Sequence, residues 1–92
     1  MKTRNEVMEL LESKYPGMFL RTTEEFSGSE GGIWTSGESC PEAEDGRSLF
    51  NYYSEDYSTY DIGVHTEIFT LLEEYGWYCE WHDAGTIMIW PN

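Results

Sequence analysis

An imbalance of charge constrains the fold of this sequence more than any other feature. Its 18 acidic residues are opposed by only 5 lysines and arginines, so the formal net charge is −13. Arg47 is the last lysine or arginine along the chain, and the acids from Glu55 to Asp83 have none among them. Like charges on a compact surface repel one another and lower stability. A stable fold must therefore hold these carboxylates in solvent and depend on a strongly apolar core.

Aromatic residues can supply that core. Apolar residues make up 39% of the chain and aromatic residues 16%, and each buried Trp or Tyr contributes a large apolar area. This content argues against the intrinsic disorder that the net charge alone would suggest. A length of 92 residues suits one domain, and we expect a single domain over residues 1–92.

The beginning of the chain carries a helix signal. Thr3 and Glu6 have the spacing of a capping box, in which each side chain bonds a main-chain amide of the first turn. Val7, Leu10, Leu11 and Tyr15 then fall on one helical face. The helix should end at Tyr15-Pro16-Gly17, because proline cannot continue it and glycine permits the turn.

Strand signals dominate the middle of the chain. Alternating side chains predict a strand over residues 18–26, and shorter apolar runs predict strands over 33–35 and 48–53. A glycine-rich connection joins the first two strands. Residues 36–47 combine turn-forming and acidic residues, so we expect an exposed acidic loop there. The tyrosine-rich residues 54–61 should be irregular.

A second helix and a hairpin complete the pattern. Apolar residues recur with helical spacing from Val64 to Tyr75, and Asp61 or Thr66 is the expected N-cap. Alternation then predicts two strands within residues 77–90. Between them, Asp83-Ala84-Gly85 is typical of a three-residue turn with its glycine in the left-handed conformation.

These elements predict an α+β fold. In the order α-β-β-β-α-β-β, four or five strands would form an antiparallel sheet, and both helices would pack on one face of it. We also expect at least two of three tryptophans to lie in the core, namely Trp34, Trp81 and Trp90.

The sequence offers little support for catalysis or for a metal site. Cys79 and His82 have half of a zinc-binding spacing, which Cys40 and His65 could complete. On a strand, however, positions i and i+3 face opposite sides of the sheet. Neither cysteine has a basic neighbour that would stabilise a thiolate. We therefore expect free thiols, no metal, no cofactor and no enzymatic activity.

Acidic residues interleave with tyrosines in one short segment. Tyrosine supplies rigid contact area and a hydroxyl, and carboxylates attract a basic partner. These residues and three acids of the preceding loop form the predicted partner-binding site: Tyr52, Tyr53, Glu55, Asp56, Tyr57, Tyr60, Asp61, Glu42, Glu44 and Asp45. The alternative is that the tyrosines cover an edge of the sheet and the acids only maintain solubility.

The charge also restricts the class of partner. It repels nucleic acids and anionic membranes, so the expected partner is a basic protein, and large basic surfaces are common on proteins that grip nucleic acid. In its size, its acid-only sequence after Arg47 and its Tyr/Asp/Glu segment, the chain resembles small acidic phage-encoded inhibitors of the DNA-mimic or anti-CRISPR type. The resemblance implies an inhibitor that occupies the nucleic-acid-binding surface of an enzyme, and it assigns no role to individual residues.

Two other functions fit the same surface. One is an immunity or antitoxin protein that neutralises a cationic nuclease toxin, similar in logic to barstar. The other is an acidic scaffold or assembly protein. No apolar run approaches the ~20 residues of a membrane span, and no signal-peptide pattern follows Met1. We therefore expect a cytoplasmic protein, in the host cytoplasm if a phage encodes it.

Overall fold

The computed structural model describes residues 2–92 of the protein. Within this range, the chain forms three helices and six strands. In chain order their bounds are α1 Arg4–Lys14, β1 Arg21–Thr22, α2 Thr23–Ser27, β2 Ile33–Ser36, β3 Tyr60–Asp61, β4 Val64–His65, α3 Thr66–Glu74, β5 Trp77–Asp83 and β6 Thr86–Pro91. None of these three helices is long and apolar enough to cross a lipid bilayer.

Four of the strands form an antiparallel sheet in the order β1-β2-β6-β5, and β3 pairs with β4 in a separate hairpin. Thr35 lies opposite Ile87, which in turn lies opposite Trp81. The α+β class and the antiparallel sheet are therefore confirmed. The predicted order α-β-β-β-α-β-β is corrected to α-β-α-β-β-β-α-β-β.

The first helix, α1, forms as its sequence predicts. The Thr3 amide donates to Glu6 Oε1 at 2.8 Å, and the Glu6 amide donates to Thr3 Oγ1 at 3.3 Å. Val7 and Leu11 are fully buried. The Tyr15 amide makes a 2.8 Å bond to the Leu11 carbonyl at the end of the helix. A capped first turn and one apolar face thus stabilise α1.

The strand predicted over residues 18–26 is wrong. Within this segment β1 is a short strand, and α2 follows it at once. Thr22 and Glu25 form a second capping box, in which the Thr22 amide lies 3.1 Å from Glu25 Oε2. Gly28, at a φ of 79°, ends the helix in the left-handed conformation. The local helix-start signal therefore outweighs the alternation of side chains.

The strand predicted over residues 48–53 does not form either. Leu49 and Phe50 are both buried, whereas successive residues of a strand point to opposite faces. Contacts of this segment with other backbone segments are isolated bridges, such as that between Phe50 and Val64. The loop before it carries exposed acids, and its buried Ala43 fixes it to the core.

The helix α3 forms within the predicted range, but its N-cap differs from the prediction. Neither Asp61 nor Thr66 caps it. The cap is His65, whose Nδ1 accepts the amide of Glu67 at 3.0 Å. Because β4 ends at His65, the helix begins at the next residue, and the imidazole nitrogen takes the role that a hydroxyl or carboxylate oxygen usually has.

The final hairpin is confirmed, with a shorter turn than predicted. Asp83 pairs with Thr86, so Ala84 and Gly85 form a two-residue turn. Gly85 does not adopt the left-handed conformation. Its amide donates to Asp83 Oδ1 at 2.9 Å, so an aspartate side chain closes the turn in place of a left-handed glycine.

The two longer helices cover one face of the sheet, and α2 covers part of the other. Val7 of α1 and Ile68 of α3 share one buried cluster with Ile89 of β6. Phe26 of α2 instead packs against Trp34 at 4.8 Å between ring centroids. The side chain of Trp34 alternates with the buried residues of β2 and so points to the opposite face. The predicted single layer of two helices is therefore corrected to helices on both faces.

Trp77 is the tryptophan that the core encloses. It is 3% exposed, and its Nε1 donates to the carbonyl of Lys2 at 2.9 Å. Trp34, Trp81 and Trp90 are each half-buried, so the expectation that at least two of them lie in the core is wrong. The physical reason is that Trp34 and Trp90 project from the sheet face that only the short α2 covers.

Candidate protein-interaction site

Turns shape the segment between Asn51 and Gly63. The Asn51 amide donates to the Gly63 carbonyl at 2.8 Å, and Asn51 Oδ1 accepts the Tyr53 amide at 3.2 Å. Further along, Asp56 Oδ1 accepts the hydroxyl of Ser58 at 2.6 Å and its amide at 3.2 Å. Asparagine and aspartate side chains favour such local bonds, which fix a turn without a strand ladder.

Four aromatic or aliphatic side chains of this segment project into solvent. The exposed fractions are 49% for Tyr52, 79% for Tyr53, 80% for Tyr57 and 80% for Ile62. We call these four residues the tyrosine patch. The rings of Tyr52 and Tyr53 meet edge to face at 5.2 Å, and Tyr52 also packs against Trp81 at 5.0 Å. The patch is thus joined to the end of β5.

Ile62 has an unfavourable backbone conformation at the tip of the β3–β4 hairpin. Its φ is 48° and that of Gly63 is 74°, as in the two-residue turns that usually contain Asn-Gly or Gly-Gly. A branched side chain in the left-handed region costs about 1–2 kcal/mol. Trp81 Nε1 holds the turn by donating to the Ile62 carbonyl at 2.7 Å.

A shallow cleft lies between the tyrosine patch and the start of α3. Its volume is about 410 Å³, and Tyr52, Tyr57, Asp61 and Thr66 contribute to its walls. The face of an aromatic ring attracts a cation, and a carboxylate pairs with one. The cleft therefore offers two kinds of contact to an arginine or lysine side chain of a partner.

Two of the predicted site residues bond other parts of the protein. Tyr60 is buried, and its hydroxyl donates to the Ser48 carbonyl at 2.8 Å. Asp45 accepts the Arg47 amide at 2.9 Å and lies 2.9 Å from His65 Nε2. The bonds from Arg47 and His65 lower the pKa of Asp45. Both side chains thus make bonds within the protein, and Asp45 is exposed at the same time.

The other predicted acids are exposed. Glu44 Oε1 lies 3.4 Å from Lys14 Nζ. The hydroxyl of Ser58 bonds Asp56 and lowers the pKa of that carboxyl to about 2. Four of the predicted acids make no ion pair within residues 2–92, namely Glu42, Glu55, Asp56 and Asp61. Glu55, Asp56 and Asp61 belong to the same segment as the tyrosine patch.

The ion pairs of the described chain leave one part of it uncompensated. Those with lysine or arginine within residues 2–92 are Arg4–Glu24, Lys14–Glu44 and Arg47–Asp45. No acid from Glu55 to Asp83 has such a partner in that range. Glu67 accepts the hydroxyl of Tyr15 at 2.7 Å. The remaining carboxylates create a negative field around the tyrosine patch.

The histidine and cysteine side chains decide whether a metal site could form. In the part of the chain that the structure describes, no three His, Cys, Asp or Glu side chains could together hold a metal ion. Both ring nitrogens of His65 are bonded, to Asp45 and to the Glu67 amide. Cys40 and Cys79 are free thiols, and burial raises the pKa of Cys79 to about 12.

Sequence reasoning missed Ile62 and Trp81 as residues of the site. A signal for Ile62 exists, because Ile62-Gly63 separates two short alternating runs and has glycine at the second position of a two-residue turn. For Trp81 the sequence gives no such signal, since its bond to the Ile62 carbonyl joins residues that only the fold brings together.

No protein-family model, curated protein or solved structure matches this chain. Function must therefore be inferred from the site itself. Its two informative features are the exposure of the tyrosine patch and the carboxylates beside it that lack a cationic partner within residues 2–92.

Proposed function

We propose that this protein is a non-catalytic inhibitor that binds a basic protein surface through the tyrosine patch. The observation that carries the proposal is the exposure of that patch beside carboxylates without ion pairs in residues 2–92. A contiguous apolar surface of this kind commonly marks an interaction site. The class of partner follows from the charge, since Glu55 and Asp61 attract cationic surfaces and repel anionic ones.

The tyrosine patch supplies most of the affinity in this proposal. Full burial of an isoleucine side chain contributes about 1.5–3 kcal/mol, and Ile62 is largely exposed in the free protein. Tyr53 and Tyr57 each add a ring and a hydroxyl with few rotatable bonds, so little entropy is lost when a partner covers them. A few anchors of this type usually carry most of the energy of an interface.

In this proposal the carboxylates raise the rate at which the protein and its partner associate. Charges act over a Debye length of roughly 8 Å at physiological ionic strength. The field of Glu55 and Asp61 therefore guides a basic surface toward the tyrosine patch before contact. Salt should lower the association rate, whereas loss of a patch side chain should raise the dissociation rate.

The proposed partner is an enzyme that binds nucleic acid. A domain with a net charge of −13 that sits on a cationic cleft excludes an anionic substrate by competition. The same charge keeps the inhibitor itself off nucleic acid. This proposal agrees with the resemblance to small phage-encoded inhibitors of the DNA-mimic or anti-CRISPR type, and it places the action in the host cytoplasm.

Capture from bacterial lysate tests the proposal. The protein is immobilised at low salt, bound proteins are eluted with a salt gradient, and mass spectrometry identifies them. We expect one nucleic-acid enzyme that elutes with salt and is displaced by added DNA or RNA. Recovery of scattered basic proteins, or of a partner indifferent to nucleic acid, would contradict the proposal.

Matched variants then locate the binding surface. The double variant Tyr53→Ser/Tyr57→Ser should lose capture, because it removes two exposed anchors without touching the core. Asp61→Lys should slow association roughly tenfold at low salt. Glu9→Lys, on the exposed side of α1, changes the net charge equally and serves as the control. If all three variants captured the enzyme like the wild type, the tyrosine patch would not be the site.

A further inference from the structure

One side of β5 is unpaired. The sheet order places this strand next to β6 alone. The Asn92 amide donates to the Gly76 carbonyl at 2.8 Å. In an antiparallel pair, every second residue along a strand exchanges hydrogen bonds with its neighbour, counted here from Gly76. Tyr78 and Glu80 therefore bond β6, and the main-chain groups of the residues between and beside them point away from it.

The outward groups belong to Trp77, Cys79 and Trp81. Apart from the β5–β6 ladder, no main-chain hydrogen bond within residues 2–92 uses the N–H or C=O groups of these three residues. Proteins usually protect such an edge with proline, lysine or a bulge. β5 contains neither proline nor lysine, and its bulge lies at the far end, between Trp81 and Asp83. The edge around Cys79 is therefore a template for another strand.

A groove runs beside this edge. Two adjoining hollows, of about 110 and 320 Å³, share Phe69 and Cys79 in their walls. Leu72 of α3 lines the first hollow, and Val64 of β4 lines the second. A strand added to β5 would thus lay one row of its side chains against apolar groups.

Carboxylates flank the groove. Glu73 lines one hollow and Asp61 lines the other, and neither forms an ion pair within residues 2–92. Glu80 also borders the second hollow, but its carboxylate accepts from Trp90 Nε1 at 3.3 Å on the opposite face of the sheet. A second copy of this chain would bring like charges together at this edge, whereas a basic segment would be attracted to it.

We propose that the free edge of β5 binds an extended basic segment of the partner by strand addition. Alternate residues of that segment exchange hydrogen bonds with Cys79 and Trp81, and its apolar side chains enter the groove. The field of Asp61 and Glu73 attracts its lysines or arginines. The inference rests on the proposed function for the basic character of the partner alone. Because Asp61 and Ile62 border both the groove and the cleft of the tyrosine patch, one partner can contact both.

A short peptide of alternating valine and lysine is the first probe. Two isomers carry N-methyl groups, one on the valine amides and one on the lysine amides, so each lacks the N–H donors of one side of the strand. We expect the unmethylated peptide and one isomer to bind. The other isomer should bind about tenfold more weakly, because it cannot donate to β5. Equal affinity of the two isomers would overturn the inference.

Matched charge variants give a second comparison with the same peptide. Glu73→Lys should weaken binding severalfold at low salt, because it reverses a charge that borders the groove. Glu12→Lys, on the exposed side of α1, makes the same change of net charge on another element and should bind like the wild type. Equal weakening by both variants would mean that the peptide senses only the total charge, and the site would be rejected.

Amide hydrogen exchange, followed by NMR, reports the pairing directly. In the free protein the amides of Cys79 and Trp81 should exchange quickly, and those of Tyr78 and Glu80 slowly. The peptide should protect the first two amides. If those amides stayed unprotected in the complex, the inference would fail. If they became protected at high protein concentration without peptide, the occupant would be a second copy, and the choice of a basic partner segment would be wrong.

The two proposals fail separately. If the peptide pairs with β5 but lysate capture yields no single nucleic-acid enzyme, strand addition stands and the inhibitor function falls. If capture depends on Tyr53 and Tyr57 while the amides of Cys79 and Trp81 remain unprotected in the captured complex, the inhibitor function stands and strand addition falls.

Discussion

Ile62 places a branched apolar side chain at a backbone position that asparagine or glycine occupies at lower free energy. The neighbouring residue has no such freedom, because a Cβ on Gly63 would lie 2.8 Å from the Asn51 carbonyl oxygen. The turn is therefore fixed by Gly63 and by the bond from Trp81 to the Ile62 carbonyl. The side chain at position 62 contributes little to that framework, so its identity is free to serve recognition.

Replacement of Ile62 separates stability from binding. Ile62→Asn should raise the free energy of unfolding by about 1 kcal/mol, because asparagine tolerates the left-handed conformation. It should also weaken binding to the captured partner about tenfold, through the loss of buried apolar area. Thermal denaturation and surface binding kinetics measure the two effects. Ile62→Val retains the strain and most of the side chain, and is the control; unchanged affinity of Ile62→Asn would remove Ile62 from the site.

At the scale of elements, His65 joins three parts of the fold. It ends β4, caps α3 through its Nδ1, and places its Nε2 2.9 Å from Asp45 in the acidic loop. Because Nδ1 accepts the Glu67 amide, the neutral ring carries its proton on Nε2 and donates it to Asp45. The hairpin that presents Ile62 is thus tied to the helix behind it by one buried side chain.

Two substitutions of His65 distinguish these roles. His65→Ala removes the cap and the bond to Asp45, and should lower the free energy of unfolding by about 2 kcal/mol. His65→Asn keeps a side-chain acceptor for the Glu67 amide and should lose only about half of that. Urea denaturation measures both, and equal losses would show that the cap adds no stability.

Helix starts could be predicted from sequence where the cap lies within one turn, and elements that depend on distant contacts could not. Thr3 and Glu6 illustrate the first case, since both partners of the capping box are close in sequence. Thr22 and Glu25 carry the same signal, but alternating side chains around them predict a strand instead. The N-cap of α3 depends on where β4 ends at His65, which no local pattern reveals.

The candidate site shows the same limit. The exposure of Tyr53 and Tyr57 agrees with the predicted interface, because acids and turn-forming residues surround them in sequence. Tyr60 has similar neighbours but is buried, since its hydroxyl reaches the Ser48 carbonyl across the fold. The free edge of β5 could likewise not be predicted from the sequence, because strand order in a sheet depends on tertiary packing and not on periodicity.

At the scale of the whole molecule, two electrostatic effects act in opposite directions. Within residues 2–92, acids that lack ion pairs repel one another, and protonation relieves that repulsion. Other carboxyls accept hydrogen bonds that lower their pKa, with the strongest case at Asp56, where bonds from Ser58 and Thr59 lower the pKa to about 2. For these groups the folded state binds protons less readily than the unfolded state, so their stabilisation is present above pH ~4 and is lost as the pH falls through the lowered pKa.

The free energy of unfolding should therefore change little between pH 7 and about pH 5, and fall below about pH 4. Asp56→Asn removes one carboxyl with a strongly lowered pKa, so its stability should decline less steeply between about pH 4 and pH 2. Chemical denaturation at a series of pH values measures both curves. Glu55→Gln, at an exposed acid next to it in sequence, is the control, and identical slopes for the two variants would contradict the assignment to Asp56.

The bond from Trp81 to the Ile62 carbonyl also gives the protein an optical reporter. Emission from an excited indole shifts to shorter wavelength when water around it is replaced by apolar groups. Trp81 is half-buried and lies 5.0 Å from the ring of Tyr52, whereas Trp77 is enclosed and should respond little. A partner that binds over Tyr52 and Ile62 would displace water from the Trp81 indole. Binding to the unlabelled protein would then be visible as a shift of its tryptophan emission to shorter wavelength.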